Sequence, residues 1–377
     1  MRKTTFTRFL QILTMVFLAL PAAAQDPQKG QEAAKRGDFA TALEEWRRLA
    51  EQGLAAAQFN FGVLYENGDG VRQDYAEAVK WYRLSAEQGY AMAQNNLAGM
   101  YARGLGVPQN YAEAVQWYRR AAEQGVAPAQ YSLGLMYSEG QGVPQDDAEA
   151  VKWVRLAAEQ GLADAESNLG AVYLQGLGAP QNYTEAGKWF RLAAEHGQAD
   201  AQNILGFAYE HGLSVPQDYA EAVRWYRLSA EQGHAIAQDH LGQMFYHGLG
   251  VPQDYSESAK WSRLAAEQGH PEAQYLLGFA IHNGLGVPQN YAEAVKWYLL
   301  AAEHGRADAQ NNLGNMYTNG QGVRRDHVKA YMWWTIAAAN GEEHSKNSRD
   351  LLAKHLTPAQ IAEAKRLARD WLDKHRE

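Results

Sequence analysis

Apolar and small residues recur along this chain at helical spacing, and the pattern is clearest over residues 271–306. In the first half of this segment, Ala273, Leu277 and Ile281 fall four residues apart and define one face of a helix. In the second half, Trp297 and Tyr298 belong to a second apolar stripe. We therefore predict two antiparallel helices of about 13 residues each, packed through these stripes.

The connection between the two predicted helices carries its own signals. Gly284, Gly286 and Pro288 interrupt the helical pattern and indicate a tight turn. Asn290 follows at the position of a helix N-cap, with Glu293 three residues further on. This is the pattern of a capping box, in which the asparagine side chain accepts hydrogen bonds from the first free backbone N–H groups.

The whole pattern repeats with a fixed period of 36 residues. The glycine that ends the second predicted helix stands at Gly53, Gly89, Gly125, Gly161, Gly197, Gly233, Gly269, Gly305 and Gly341. A tryptophan keeps the same step from Trp81 to Trp333. Such a period is typical of a solenoid, in which each helix pair buries its apolar face against its neighbours. An extended solenoid surface favours the binding of another protein over catalysis in a pocket.

The consensus of these units is A-x-A-Q-x-x-L-G-x-x-Y-x-x-G-x-G-V-P-x-[DN]-Y-x-x-A-x-x-W-Y-x-x-A-A-E-x-G. It resembles the Sel1-like repeat, a member of the tetratricopeptide superfamily. The resemblance implies an all-α fold, a right-handed α-α solenoid or superhelix whose first helices line the concave side. We predict an N-terminal capping unit similar to a tetratricopeptide repeat over residues 25–53, eight Sel1-like repeats over 54–341, and a C-terminal capping helical segment over 342–377.

The C-terminal capping segment is expected to end in one further helix. Thr357 and Gln360 predict a capping box at its start, with Pro358 in the first turn. An apolar stripe from Ile361 to Trp371 is expected to cover the exposed end of the last repeat.

The first residues of the chain have the character of an export signal. Arg2, Lys3 and Arg8 precede a short apolar stretch, and Pro21 and three alanines follow it. This order predicts a signal peptide over residues 1–24, removed on export. We expect a periplasmic protein, with secretion as the alternative. An uncleaved membrane anchor is the other interpretation of this segment, although it is shorter than the roughly 20 residues that span a bilayer.

Composition excludes several classes of function. Without residues 1–24 the chain has 32 basic and 43 acidic residues, a net charge of −11, and no run of Lys or Arg. We therefore expect no nucleic-acid partner. No later segment is apolar enough for an integral membrane span. The absence of cysteine excludes disulfides, a thiolate nucleophile and zinc–sulfur sites.

Catalytic motifs are also missing, and we predict no enzyme activity, no cofactor and no metal site. The chain has no H-E-x-x-H, G-x-S-x-G or phosphate-binding loop. All twelve histidines lie from His196 onward. Because histidine changes its charge near neutral pH, a pH switch in this half of the chain is a hypothesis. Some cysteine-rich members of the resembled family are described as β-lactam-binding or β-lactamase-like. A β-lactamase-like or peptidoglycan-active hydrolase is therefore the alternative function, although this chain lacks their cysteines.

Comparison of the eight units with one another indicates where a partner binds. Positions equivalent to Phe59, Val63 and Glu66 vary freely and share one face of each first helix. In tetratricopeptide relatives the corresponding positions face the concave groove and contact peptides. The predicted groove residues are Asn95, Tyr131, Asn203, Phe207, Asp239, Tyr246, Tyr275, Phe279 and Asn311.

These side chains favour a partner protein or peptide with apolar anchors. Cations are nearly absent from the groove positions, with Arg103 the main exception, so a Lys/Asn clamp on a C-terminal carboxylate is not expected. Two biological roles fit: an adaptor in envelope assembly or secretion, and a periplasmic regulator of a signalling kinase, a role known in the resembled family. Secreted members of the family also engage host proteins.

Overall fold

The structure, a computed structural model, describes residues 27–375. The predicted signal peptide lies outside the described residues. Within them every regular element is an α-helix, and consecutive helices pack in pairs as an all-α solenoid. Packing divides the chain into two compact units, one ending at Gln124 and the other beginning at Gly125. No helix in the described part is long and apolar enough to span a bilayer.

The helices alternate between first and second members of a repeat. In the first compact unit they are α1 (Pro27–Lys35), α2 (Phe39–Glu51), α3 (Ala55–Asn67), α4 (Tyr75–Glu87), α5 (Ala91–Arg103) and α6 (Tyr111–Glu123). In the second they are α7 (Ala127–Glu139), α8 (Asp147–Ala158), α9 (Ala163–Gln175), α10 (Tyr183–Glu195), α11 (Ala199–His211), α12 (Tyr219–Glu231), α13 (Ala235–His247), α14 (Tyr255–Glu267), α15 (Pro271–Asn283), α16 (Tyr291–Glu303), α17 (Ala307–Asn319), α18 (His327–Ala339), α19 (Glu343–Ala353) and α20 (Pro358–Lys374). The predicted helix pair in each repeat is confirmed.

The ends of the helices follow the predicted signals, with one correction. Gly284 ends α15 in the left-handed conformation, with φ of 68°, and the Asn290 side chain accepts from the backbone N–H of Glu293 at the start of α16. The reciprocal half of the capping box, however, is formed within residues 27–375 only by Thr357 and Gln360 of α20. In several repeats the glutamate instead binds a cation three residues later on its own helix, because that partner offers a charge.

Each repeat has a small core between its two helices. Leu277 and Tyr298 are completely buried, as predicted from the apolar stripes. Gly278 lies against the Tyr298 ring, where an added Cβ would come within 2.9 Å of a ring carbon. The recurring glycine of the first helix therefore gives the large ring of the second helix its place, since a side chain there would overpack the contact.

In most repeats a hydrogen bond between polar side chains joins the start of the first helix to the end of the second. In five repeats a glutamine at the end of the second helix donates to a buried glutamine of the first, as Gln160 does to Gln130 at 2.7 Å. The repeat of α9 and α10 replaces this pair with Glu166 and His196, whose Oε2 and Nδ1 atoms lie 2.8 Å apart. Glu166 is 1% exposed, so its carboxylate depends on this partner.

We expect His196→Ala to lower the free energy of unfolding by about 1–3 kcal/mol, because it leaves the buried Glu166 oxygen without a partner. The double variant Glu166→Gln/His196→Gln restores the pair found in five other repeats and is expected to recover most of this loss. Urea denaturation of the three proteins checks both statements. Equal midpoints for His196→Ala and the parent chain would show that the pair adds no stability.

The C-terminal segment covers the last repeat with two helices, of which the sequence predicted one. Ala364 and Ala368 of α20 are buried, and the Trp371 ring lies 5.6 Å from that of Trp333 on α18. Ile336 of α18 is completely buried and belongs to the same apolar cluster as Ala368 and Trp371. The extra helix, α19, has a polar sequence with little apolar periodicity, so its contacts with α18 rather than its pattern stabilise it.

Candidate partner-binding surface

The nine predicted groove residues all lie on first helices of the repeats. Asn95 is on α5 in the first compact unit; in the second, Tyr131 is on α7, Asn203 and Phe207 on α11, Asp239 and Tyr246 on α13, Tyr275 and Phe279 on α15, and Asn311 on α17. Their exposure differs. Phe207 is 40% exposed, Asp239 is only 3% exposed, and the other seven are partly buried. We call Phe207, Tyr246, Tyr275 and Phe279 the aromatic surface.

The aromatic surface spans three consecutive repeats of the second compact unit. The Phe207 ring stacks on His211, with centroids 4.1 Å apart. On the next two first helices, the centroids of Tyr246 and Phe279 lie 6.4 Å apart in an edge-to-face arrangement, and Tyr275 lies 6.3 Å from Phe279. Rings in contact across helices form a rigid apolar platform, which is the kind of surface that interaction hot spots use.

Tyr131 and Tyr275 also contribute to the core. Tyr131 packs on the apolar cluster between α8 and α9, and burial raises the pKa of its hydroxyl. The centroid of Tyr275 lies 6.0 Å from that of the buried Tyr298. Replacing either tyrosine would therefore disturb packing as well as the surface, which makes Phe207 and Tyr246 better probes of binding.

The three asparagines have different surroundings. Asn95 donates to Asn96 Oδ1 at 3.1 Å on its own helix. Asn311 Oδ1 accepts a hydrogen bond from Ser345 of α19 at 2.8 Å, so this residue helps to hold the C-terminal segment. Asn203 Oδ1 is buried and has no hydrogen-bond partner among the described residues. Sequence variability alone did not distinguish these environments.

Asp239 is a buried carboxylate with incomplete hydrogen bonding. Gln243 donates to its Oδ2 atom at 2.8 Å, and His270 Nδ1 lies 3.9 Å from the same oxygen. Within the described residues Oδ1 has no partner. Burial raises the pKa of this carboxyl group to about 7, and Glu272 adds to the shift while Gln243 and Arg306 oppose it. Asp239 is therefore largely protonated below neutral pH.

His240, which lies outside the compared positions, is near Phe207 and contacts Tyr226 and Glu210. The His240 ring stacks on Tyr226 with centroids 4.7 Å apart and lies 6.1 Å from Phe207. The Tyr226 hydroxyl donates to Glu210 at 2.6 Å. Burial lowers the pKa of His240, while Glu210 raises it. The sequence could have indicated His240, because several other repeats have asparagine at the equivalent position and the histidine departs from that pattern.

A cation that the sequence analysis missed lies next to the aromatic surface. The Arg306 guanidinium is 5.5 Å from the Tyr275 ring centroid and forms ion pairs with Glu272 at 2.5 Å and Asp308 at 2.8 Å. Arg306 belongs to the turn before α17 and not to the compared helix positions. Arg103, the cation that the sequence did indicate, lies 3.6 Å from Glu66 in the first compact unit.

The histidines of the second compact unit lie apart from one another or contact single carboxylates. No group of three or more His, Asp or Glu side chains in residues 27–375 is arranged to hold an ion. His234 has a structural role instead, since its Nδ1 accepts from the backbone of Ala237 and its Nε2 lies 2.9 Å from Asp200 Oδ1. Its counterpart His270 makes no such cap, and its Nδ1 has no hydrogen-bond partner among these residues.

Comparison with known proteins agrees with the repeat architecture. The family model described as Sel1 repeat matches eight consecutive segments, residues 55–90, 91–126, 127–162, 163–198, 199–234, 235–270, 271–305 and 307–342. No protein with a curated description matches.

Many solved structures resemble the chain, among them two in which the matched region makes up nearly the whole of the other protein. One is a protective antigen present in uropathogenic Escherichia coli strains, 32% identical, covering 88% of this chain and 95% of that one, with a TM-score of 0.55. The other is a Sel1 repeat protein from Oxalobacter formigenes, 36% identical, covering 65% of this chain and 96% of that one, also with a TM-score of 0.55. With eight matched repeats over most of its length, the chain belongs to the Sel1 repeat family.

Proposed function

We propose that this chain is a non-catalytic scaffold that binds a segment of a partner protein through the aromatic surface of α11, α13 and α15. Sel1 repeats mediate protein interactions, and members of the family are typically non-catalytic scaffolds. The observation that carries the proposal is Phe207, which is 40% exposed yet stacked on His211. An exposed aromatic side chain held in one orientation contributes contact area to a complex at a low entropic cost.

The chemistry around the aromatic surface defines the partner segment. Phe207 and Tyr246 offer apolar contact area, while Glu210 provides a carboxylate beside Phe207. We expect an extended or helical segment that inserts one or two large apolar side chains and places a basic group near Glu210.

Binding is tested by capturing partners on the purified chain of residues 25–377 and on its variant Phe207→Gln/Tyr246→Gln. We expect the variant to bind the captured partner at least about tenfold more weakly, because the anchoring rings are lost. The matched control is Leu177→Gln, which changes a 56% exposed apolar residue in a connection between helices. Equal retention by all three proteins would place the binding site elsewhere.

We further propose that the chain works in the cell envelope, as an adaptor or as a regulator of a signalling kinase. The proposal is supported by the basic and apolar start of the sequence and by the small residues at 22–24. N-terminal sequencing of the protein from an envelope fraction is expected to give a chain beginning at Gln25. A chain that retains Met1 or Arg2 in that fraction would contradict cleavage.

A further inference from the structure

The second helices of the second compact unit present a row of exposed leucines. Five equivalent positions in consecutive repeats carry Leu156, Leu192, Leu228, Leu264 and Leu300, which we call the leucine row. All five are between 38% and 40% exposed. One exposed leucine is ordinary on a protein surface, but five at the same position of consecutive repeats form a continuous apolar strip.

One member of the same series is covered, and its cover is an amphipathic helix. Ile336 occupies the equivalent position on α18, is completely buried, and belongs to the same apolar cluster as Ala368 and Trp371 of α20, which packs on α18. At this repeat the flanking charged positions have also become apolar, with Met332 and Ala339 where the preceding repeat has Lys296 and Glu303. The position covered by α20 is therefore surrounded by apolar residues, whereas the five exposed leucines have charged residues on both sides.

The two flanks of the leucine row differ in how their charges are satisfied. On one side, Lys152, Lys188, Arg224 and Lys260 form ion pairs with glutamates of their own helices. On the other side, one helical turn after each leucine, stands an acidic row: Glu159, Glu195, Glu231, Glu267 and Glu303. These five are exposed, and none of them forms an ion pair within residues 27–375. The strip thus has an acidic edge whose carboxylates form no ion pair among the described residues, although an arginine stands four residues before each of the first four: Arg155, Arg191, Arg227 and Arg263.

The spacing of the leucine row suits a helix that lies across the second helices. Successive second helices are joined through the first helix between them, and helix packing puts equivalent positions on the order of 10 Å apart, close to the roughly 10.5 Å that seven residues of an α-helix rise. An open cleft of about 390 Å³ lies beside Leu264, lined by Ala259 and Lys260 of α14 and by Gly286 and Val287 of the next repeat. It can take an apolar side chain in the manner of a knob in a hole.

We propose that the leucine row and the acidic row form a second binding site, which takes a basic amphipathic α-helix of a partner protein. Apolar residues at heptad spacing contact the leucines, and Lys or Arg residues on one flank pair with the acidic row. This site is on the second helices and is independent of the aromatic surface, so either can fail without the other.

The test uses a synthetic peptide of about 28 residues with leucines at heptad spacing and lysines along one flank, because its helical length of about 42 Å matches the four intervals of about 10 Å between the five leucines. Fluorescence anisotropy measures its affinity for the full chain and for Leu192→Gln/Leu228→Gln/Leu264→Gln. We expect the triple variant to bind at least about tenfold more weakly. Leu84→Gln is the matched control, since Leu84 is 45% exposed at the equivalent position but its neighbour in the series is Arg120.

A second peptide, with glutamate in place of each lysine, tests the acidic row and is expected to bind at least about tenfold more weakly than the first. The proposal is overturned if the lysine peptide does not bind, if it binds the triple variant equally well, or if the two peptides bind alike. Sedimentation of the parent chain and the triple variant tests self-association. If the parent chain self-associates and the triple variant does not, the leucine row binds a second copy of the chain instead. Binding to phosphatidylcholine vesicles that is lost in the same variant would assign it to a membrane.

Discussion

Gly286→Ala is expected to lower the free energy of unfolding by about 3–5 kcal/mol. Gly286 has a φ of 69°, a left-handed conformation that alanine adopts only with strain. An added Cβ would also overlap the backbone carbonyl of Tyr255 in the preceding repeat. Because backbone atoms at a helix start cannot move aside as a flexible side chain does, both penalties apply together.

The matched control for this prediction is Gly305→Ala. Gly305 is also left-handed, with φ of 80°, but an added Cβ would meet nothing within 4 Å. Gly305→Ala is expected to lower the free energy of unfolding by about 1 kcal/mol, because only the strain of the left-handed conformation applies there. Urea denaturation followed by circular dichroism separates the two variants. Similar losses at both positions would mean that the contact between Gly286 and the preceding repeat is not close.

Asp239→Asn is expected to stabilise the protein by up to about 4 kcal/mol above pH 7. The pKa of Asp239 rises from its ordinary value of 3.8 to about 7, chiefly through burial. Between these two values the unfolded chain releases the proton while the folded chain keeps it. The folded state of the parent protein therefore loses stability as the pH rises from about 4 to about 7, and asparagine removes that loss while still accepting a hydrogen bond from Gln243.

The measurement is the difference in unfolding free energy between Asp239→Asn and the parent chain from pH 4 to pH 8. The difference is expected to be small at pH 4, to grow with pH and to level off above pH 7. Burial lowers the pKa of His240, His270 and His282, so each costs stability as the pH falls below 6.5. The contributions of His240 and His282 are common to both proteins, whereas His270 lies 3.9 Å from Asp239 Oδ2 and loses that acidic neighbour in the variant, so the difference is read from pH 6.5 upward. Parallel pH curves would contradict a raised pKa at Asp239.

Much of the fold could be predicted because each signal is local and recurs. Gly284 and Asn290 act through their own backbone conformation and hydrogen bonds, which the chain sequence around them determines. Helix α19 was missed because it is held by contacts with α18 rather than by an apolar periodicity. The reciprocal half of the capping box was over-predicted because the glutamate has competing partners: a cation three residues later in several repeats, and Arg263 of the preceding repeat in the case of Glu293.

The candidate surface could be predicted only in part. Variation among repeats selected positions on the first helices but could not tell a variable exposed residue such as Phe207 from a variable buried one such as Asp239. Arg306 reaches Tyr275 from a turn, and His240 reaches Phe207 from outside the compared positions. Both contacts depend on how neighbouring repeats pack, and that packing is determined by residues far apart in the sequence.

The central claim, that a partner protein binds the aromatic surface, is tested most directly by photo-crosslinking in cells. A photoreactive phenylalanine analogue is placed at position 207, at position 177 or at position 228 of the full-length chain. We predict that one partner crosslinks at 207 and not at 177. Crosslinking of that partner only at 228 would assign it to the leucine row, and crosslinking at 177 but not at 207 would contradict the aromatic surface as the binding site.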